Sequence, residues 1–272
     1  MTASISISEN RLLNNESPNQ REIFDLVNSF SQVKEIWLAD NNLTSIPSNA
    51  FMKYQPSVTW LSLIDNQINQ IGDEPFKQLP NLKYLLLDGN KFEFIPSKAF
   101  VMKPTTIQLN ESFRLYLREN GLTQDSFDKY SLAKIRRKVL LDVARNNITF
   151  LPKSVFGPLF RRQGSAVIIR DNPLKCDCKF KWLFDRNLLY NSSDNNKPYF
   201  VRGMQCANDK NQFHIKMSEL YESNFTGCTE VEEELEPDYN DDQYQNEFNG
   251  KFNVHQFNVI LNVFIILIII LI

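Results

Sequence analysis

The chain has 272 residues, with 30 Lys and Arg against 32 Asp and Glu, a net charge of −2 and only two histidines. So even a balance gives no overall field that would gather nucleic acid or bind an acidic surface. The length suits one long domain, or one domain with appendages.

Residues 1–10 contain neither a basic stretch nor an apolar run, so no secretory leader is legible there. A repeat begins there instead. Ile5-x-Ile7-x-x-Asn10-x-Leu12 recurs as Ile36-x-Leu38-x-x-Asn41-x-Leu43, Leu61-x-Leu63-x-x-Asn66-x-Ile68 and Leu85-x-Leu87-x-x-Asn90-x-Phe92. It returns as Leu141-x-Val143-x-x-Asn146-x-Ile148 and Val167-x-Ile169-x-x-Asn172-x-Leu174. The asparagine steps are 31, 25, 24, 56 and 26 residues. The long first step predicts a longer convex segment, with a helix around residues 21–30. The step of 56 is assigned to a degenerate copy, Ile107-x-Leu109-x-x-Ser112, followed by an irregular insertion over 113–138. Six good copies near a period of about 25 match the leucine-rich-repeat pattern.

The chemistry accounts for the spacing. L-x-L alternation is a short strand with one buried face. The inward turn after it needs partners for its backbone groups, and a stacked asparagine amide can both donate and accept. Ile46-Pro47, Ile95-Pro96 and Leu151-Pro152 turn the chain, and Phe51, Phe100 and Phe156 plug the convex side. One coil cannot bury its own face, so coils stack. The expected fold is an α/β-repeat solenoid over residues 1–172, with a curved parallel sheet on the concave side.

Within the insertion, residues 126–138 read as a short helix capped by Ser126 or Asp125. Lys134, Arg136, Arg137 and Lys138, with Arg161 and Arg162 further on, form either a basic contact surface or a solvated helix face.

Residues 172–178 read NPLKCDC, followed by Trp182-Leu183, Cys206 and Cys228. The four cysteines allow three pairings, of which Cys176 with Cys178 is disfavoured by the one-residue gap. With His214 and His255 as the only histidines and no paired C-x-x-C, a zinc site has little support. The N-P-x-x-C-x-C…W-L pattern, placed directly after the last repeat, resembles the C-terminal cysteine-rich cap of extracellular leucine-rich-repeat proteins. The resemblance covers roughly residues 5–228. It implies disulfides Cys176–Cys206 and Cys178–Cys228 within a cap over 173–229. Loops of that length would each contribute about 3–4 kcal/mol in the chain-entropy model. Disulfides imply an oxidising compartment. Six N-x-S/T sequons, at Asn15, Asn42, Asn110, Asn147, Asn191 and Asn224, agree with it. The sequence departs from that family at its start, where a signal peptide and often a cysteine cap are usual. An incomplete N-terminus is the expectation.

Residues 230–247 hold nine acids and no base, which predicts an extended stalk over 230–251. Tyr239 and Tyr244 lie among those acids, a setting for tyrosine sulfation. Residues 259–272 contain a single polar residue, Asn262. As a helix they reach about 21 Å, short of a ~30 Å hydrocarbon core. The tail over 252–272 therefore reads as membrane attachment. One form is a glycolipid anchor with Asn249 and Gly250 as candidate attachment residues; the other is a single span.

Alternation places Glu35, Trp37, Asp40, Trp60, Ser62, Ile64, Asp65, Tyr84, Leu86 and Asp88 on the concave face. It adds Gln108, Asn110, Glu111, Asp142, Arg145, Ile168, Arg170 and Asp171. The chosen ligand-face candidates are Trp37, Asp40, Trp60, Asp65, Tyr84, Asp88, Glu111, Arg145 and Arg170. Exposed aromatics rimmed by acids suit a protein contact. No nucleophile elbow, phosphate loop or metal cluster is visible, so no catalytic residue, cofactor, metal or small-molecule substrate is expected. The expected function is cell-surface recognition of a protein ligand or co-receptor, in adhesion or reception, with membrane attachment and no nucleic acid. The alternatives are an extracellular-matrix scaffold and an intracellular repeat scaffold.

Overall fold

The computed structural model describes residues 4–7, 20–103, 112–160, 162, 164–184, 201–202, 204–207, 213–216 and 228. These lie in the first of two compact units, Met1–Val231; the second, Glu232–Ile272, is outside the described residues. The stalk, the tail, Asn249, Gly250 and the sequons Asn15, Asn110, Asn191 and Asn224 are therefore outside them too, as are Gln108 and Glu111.

In chain order the elements are β1 (Ser4–Ser6), α1 (Gln20–Ser29), β2 (Glu35–Trp37), β3 (Ser45–Ile46), β4 (Trp60–Ser62), β5 (Gln70–Ile71), β6 (Tyr84–Leu86), β7 (Phe113–Tyr116), β8 (Val139–Asp142), α2 (Lys153–Phe160), β9 (Ala166–Ile168), β10 (Val201–Arg202), β11 (Gln205–Ala207) and β12 (Phe213–Lys216). One parallel sheet runs β1-β2-β4-β6-β7-β8-β9-β10. Its register stacks one residue of each repeat: Ile5, Ile36, Leu61, Leu85, Leu115, Leu141 and Val167. From Ile36 onward that row is fully buried, as the L-x-L alternation requires.

The asparagines bind successive coils together. Asn146 Oδ1 accepts from the backbone N–H of Asn120 at 2.9 Å and of Leu122 at 3.0 Å. Its Nδ2 donates to the carbonyls of Leu117 at 2.9 Å, Val143 at 2.9 Å and Ala144 at 3.2 Å. Asn66 repeats the arrangement, accepting from Asn41 and Leu43 at 3.0 Å each. One buried amide thus satisfies turn groups that no strand partner could reach.

On the convex side a second row of side chains stacks. Phe24, Phe51, Phe76, Phe100, Phe127, Phe156 and Phe180 are all buried. Neighbours meet ring to ring, Phe24–Phe51 at 5.8 Å, Phe51–Phe76 at 6.0 Å and Phe127–Phe156 at 5.5 Å. Burying each ring stabilises the coil by about 2–3 kcal/mol. The expected helix near 21–30 is α1, whose Ile23, Phe24, Val27 and Asn28 face the core. Asn28 ties it to the next coil, donating to Ala50 O at 2.9 Å and accepting from Met52 N at 3.0 Å.

The middle of the chain differs from the sequence expectation. Residues 113–138 are not an irregular insertion. β7 sits in the sheet between β6 and β8, and Leu115-x-Leu117-x-x-Asn120-x-Leu122 is a full repeat. Asn120, not Ser112, occupies the ladder, donating to Leu87 O at 3.0 Å and Arg118 O at 2.8 Å. The expected helix over 126–138 is also absent. A 3-10 turn, Gln124–Ser126, is capped by Thr123, whose side chain accepts from Asp125 N. Ser126 closes the box by accepting from Thr123 N at 3.1 Å. Turns follow, and from them Phe127, Leu132 and Ile135 each reach the core.

The cap closes the last coil. Disulfides join Cys176 to Cys206 and Cys178 to Cys228, with Cα atoms 5.5 and 5.4 Å apart. This is the pairing the family resemblance implied. A 3-10 run, Cys178–Phe184, buries Phe180 and Leu183 over the solenoid end. Trp182 Nε1 donates to Leu151 O at 2.9 Å, and its ring lies 5.9 Å from Phe160. Leu174 bridges to Cys206, and β10 extends the sheet beyond β9. The end of a solenoid exposes its core unless something covers it.

Candidate protein-contact face

The sheet register arranges the concave side chains in rows across the repeats. One row runs Glu35, Trp60, Tyr84, Arg114, Leu140, Ala166; the next runs Trp37, Ser62, Leu86, Tyr116, Asp142, Ile168. Trp37 stacks on Trp60 at 5.4 Å and 30°, and Trp60 meets Tyr84 at 4.5 Å and 33°. The Arg114 guanidinium covers the far side of Tyr84, 5.0 Å from its centroid. Four side chains from four strands therefore form one continuous stack. Each remains partly accessible. Trp37 Nε1 donates to Glu35 Oε2 at 3.3 Å. Trp60 Nε1 and Ser62 Oγ are buried without a hydrogen-bond partner.

Beside the stack lies a charged cluster. Arg118 donates to Asp142 Oδ2 from Nε at 2.8 Å and from Nη2 at 2.6 Å, and its guanidinium covers Tyr116 at 5.3 Å. The bond to Asp142 raises the Arg118 pKa above its ordinary value. Asp88 Oδ1 accepts from Arg118 N at 2.7 Å. Burial nevertheless pushes the Asp88 carboxyl up to about 6, the hydrogen bond and nearby Arg118 charge only partly offsetting it. Burial also raises Asp65, helped by repulsion from Asp40 and Glu119.

Asp40, Asp65, Glu119, Arg145 and Asp171 each precede a ladder asparagine and share positive φ, from 52° to 58°. The inward turn requires it, and Gly89 takes the same role at 66°. A Cβ there would come 2.0 Å from Asp65 Oδ1, so the glycine leaves room for that carboxylate. At the other end, Arg145 pairs with Glu119 at 2.7 Å and lies 3.7 Å from Asp171, all well exposed.

The predicted face residues Trp37, Asp40, Trp60, Asp65, Tyr84 and Asp88 share one end of this surface; Arg145 and Arg170 lie towards the cap, both exposed. Glu111 is outside the described residues. Ser62 and Asp142 point to the concave side but are buried, Ser62 1% and Asp142 0% exposed. Arg118 covers the latter. Arg114, Tyr116 and Arg118 were missed, and Leu115-x-Leu117-x-x-Asn120 was the signal that could have found them. Among the described residues no group of acids, cysteines and histidines could hold a metal, and no helix is long and apolar enough to cross a membrane.

Residues 31–92 and 56–122 match the leucine rich repeat family model. Repeat, sheet and disulfides together define the class: the chain is a leucine-rich-repeat solenoid closed by a disulfide-bonded cysteine cap. It is similar to leucine-rich repeat transmembrane protein FLRT2 of Rattus norvegicus, 27% identical over 206 residues, covering 69% of this chain and 29% of that protein. It is also similar to Toll-like receptor 3 of Bos taurus, 33% identical over 154 residues, covering 53% of this chain and 16% of the receptor. The chain thus spans under a third of the length of either relative. The crystal structure of human 5T4, trophoblast glycoprotein, covers 82% of this chain and is itself covered to 93%, at 16% identity and a TM-score of 0.37.

Proposed function

We propose that the concave face binds a protein partner outside the cell, in adhesion or as a receptor or co-receptor, with the chain held at the cell surface through its C-terminal segment. The observation that carries this is the Trp37–Trp60–Tyr84–Arg114 stack beside the carboxylates of Asp40, Asp65 and Asp88. Tyr, Trp and Arg dominate the energetic centres of protein interfaces. Here they are held against one another, so little rotamer freedom remains to be lost on binding. The acids favour a partner segment carrying Lys or Arg next to an apolar side chain. That two relatives are called a transmembrane protein and a receptor supports a surface role.

The test displays the chain behind a supplied secretion leader and probes it against arrayed cell-surface ectodomains. A genuine partner loses binding by at least about tenfold with Trp37→Ala combined with Tyr84→Ala. Lys53→Glu, on an exposed residue outside the sheet, leaves it unchanged. A partner indifferent to the double substitution would remove the concave face from the proposal.

A further inference from the structure

Away from the concave face, at the N-terminal ends of β6 and β8, the fold encloses a cleft of about 550 Å³. Six of its lining residues are cations, Lys103, Lys134, Arg136, Arg137, Lys138 and Arg162, and none is an acid. Arg137 is the informative one. Its Nη2 donates to Leu82 O and approaches Met102 S at 3.2 Å, and its guanidinium lies 4.6 Å from the Phe113 centroid. Among the described residues no carboxylate pairs with it. Burial alone lowers its pKa to about 10, which still leaves it charged at neutral pH. A half-buried cation without a counter-ion is costly, and an anion entering the cleft would offset that cost.

The surrounding groups are held in place for such an anion. Arg162 donates to the carbonyls of Pro158 at 2.8 Å and Ala133 at 2.9 Å, and Lys103 to Gln78 Oε1 at 2.7 Å. Gly164 has φ 86°, and a Cβ there would stand 3.3 Å from Lys138 Cδ. The missing side chain lets the Lys138 stem run close to the backbone at the cleft. Lys138 itself is exposed and has no ion-pair partner among the described residues.

We propose that this cleft binds the sulfate groups of an extracellular sulfated polysaccharide. Guanidinium forks and ammonium groups match the oxygens of a sulfate ester. Cations spread over several segments suit a polymer bearing repeated anions better than a single small ion. The disulfides place the cap in an oxidising compartment, where such polymers occur. Nucleic acid is disfavoured because Phe100, the one aromatic lining residue among the described residues, is buried and offers bases no stacking surface.

The experiment applies the full chain to immobilised heparin at about 150 mM salt, where weak long-range attraction is screened. Wild type is retained. Lys138→Glu weakens binding about tenfold with an unchanged melting temperature, and Arg137→Lys, which keeps charge but loses the fork, weakens it by a smaller factor. Lys175→Glu, on an exposed residue of the cap, changes it less than about twofold. No retention of wild type, or equal losses for Lys138→Glu and Lys175→Glu, would overturn the site. Single-stranded DNA of matched charge binding as tightly as heparin would overturn the sulfate assignment.

Discussion

Replacing ladder asparagines by alanine separates two kinds of hydrogen-bond loss. Asn146→Ala leaves the buried N–H groups of Asn120 and Leu122 without an acceptor. Each orphaned donor costs about 1–3 kcal/mol, so the pair costs about 4. Of its carbonyl partners, Val143 O still accepts from Asn172 Nδ2 and Ala144 O from Glu119 N, whereas Leu117 O loses its bond from Asn146 Nδ2. Asn120→Ala is milder. Asn120 Oδ1 has no partner to lose. Leu87 O retains Asn90 Nδ2 and Arg118 O retains Gly89 N. Two ordinary hydrogen bonds at about 1 kcal/mol each give ~2. Ser112→Ala, outside the ladder, stays within about 0.5 kcal/mol. Urea titration followed by tryptophan fluorescence measures all three, with the Asn146 variant melting ~10 °C lower in parallel scans. Destabilisation by Ser112→Ala equal to that of Asn120→Ala would refute the placement of β7. Asn146→Ala costing no more than Asn120→Ala would refute the orphaned-donor argument.

Three other outcomes follow from the charged cluster and the cap. The folded-state pKa of Asp88 is raised from 3.8 to about 6, so the native state holds its proton more tightly than the unfolded chain. Its contribution is therefore most favourable below pH ~4 and declines as pH rises through 4–6. Asp88→Asn should raise the melting temperature at pH 7.5 and change it little at pH 3.5; the reverse order would refute the burial argument. Arg118→Ala strands the fully buried Asp142 and should cost about 3 kcal/mol, whereas Arg145→Ala, at the exposed pair, should leave chemical denaturation unchanged. Replacing Cys178 and Cys228 together by serine opens a loop with a sequence separation of 50 and should cost about 4 kcal/mol. The corresponding pair at 176 and 206, with a separation of 30, should cost slightly less.

The solenoid was legible because its physics is local and periodic. Strand alternation and the asparagine turn repeat wherever a coil closes, and six copies announce themselves. The seventh strand was misplaced because the step from Asn90 to Asn120 is 30 residues and Ile107-x-Leu109 mimics the motif within it. That one error hid Arg114, Tyr116 and Arg118, and with them the cation that closes the aromatic stack. Trp37, Trp60 and Tyr84 were found because alternation alone decides which side they face. Asp142 was also assigned to the correct side. Its burial depends on Arg118, 24 residues earlier, and no single-repeat pattern carries that information. The basic run 134–138 was visible as charge, but its cleft needs Pro80, Met102 and Arg162 from three other coils.

The fold keeps its candidate surfaces apart. All strands of the main sheet run parallel, so every strand start lies along one edge and every ladder asparagine along the other. Arg137 and Lys138 precede β8 and belong to the first edge. The two sequons among the described residues, Asn42 and Asn147, directly follow ladder asparagines and are exposed on the second. A sugar at either position would extend from the edge opposite the basic cleft and leave the aromatic stack between them uncovered. The concave face is itself uneven: Asp40, Asp65 and Asp88 lie beside the tryptophans without an ion-pair partner among the described residues, whereas towards the cap Arg145 pairs with Glu119 and lies near Asp171. A cationic partner segment is therefore drawn to the tryptophan end, and that asymmetry decides which end of the sheet it engages.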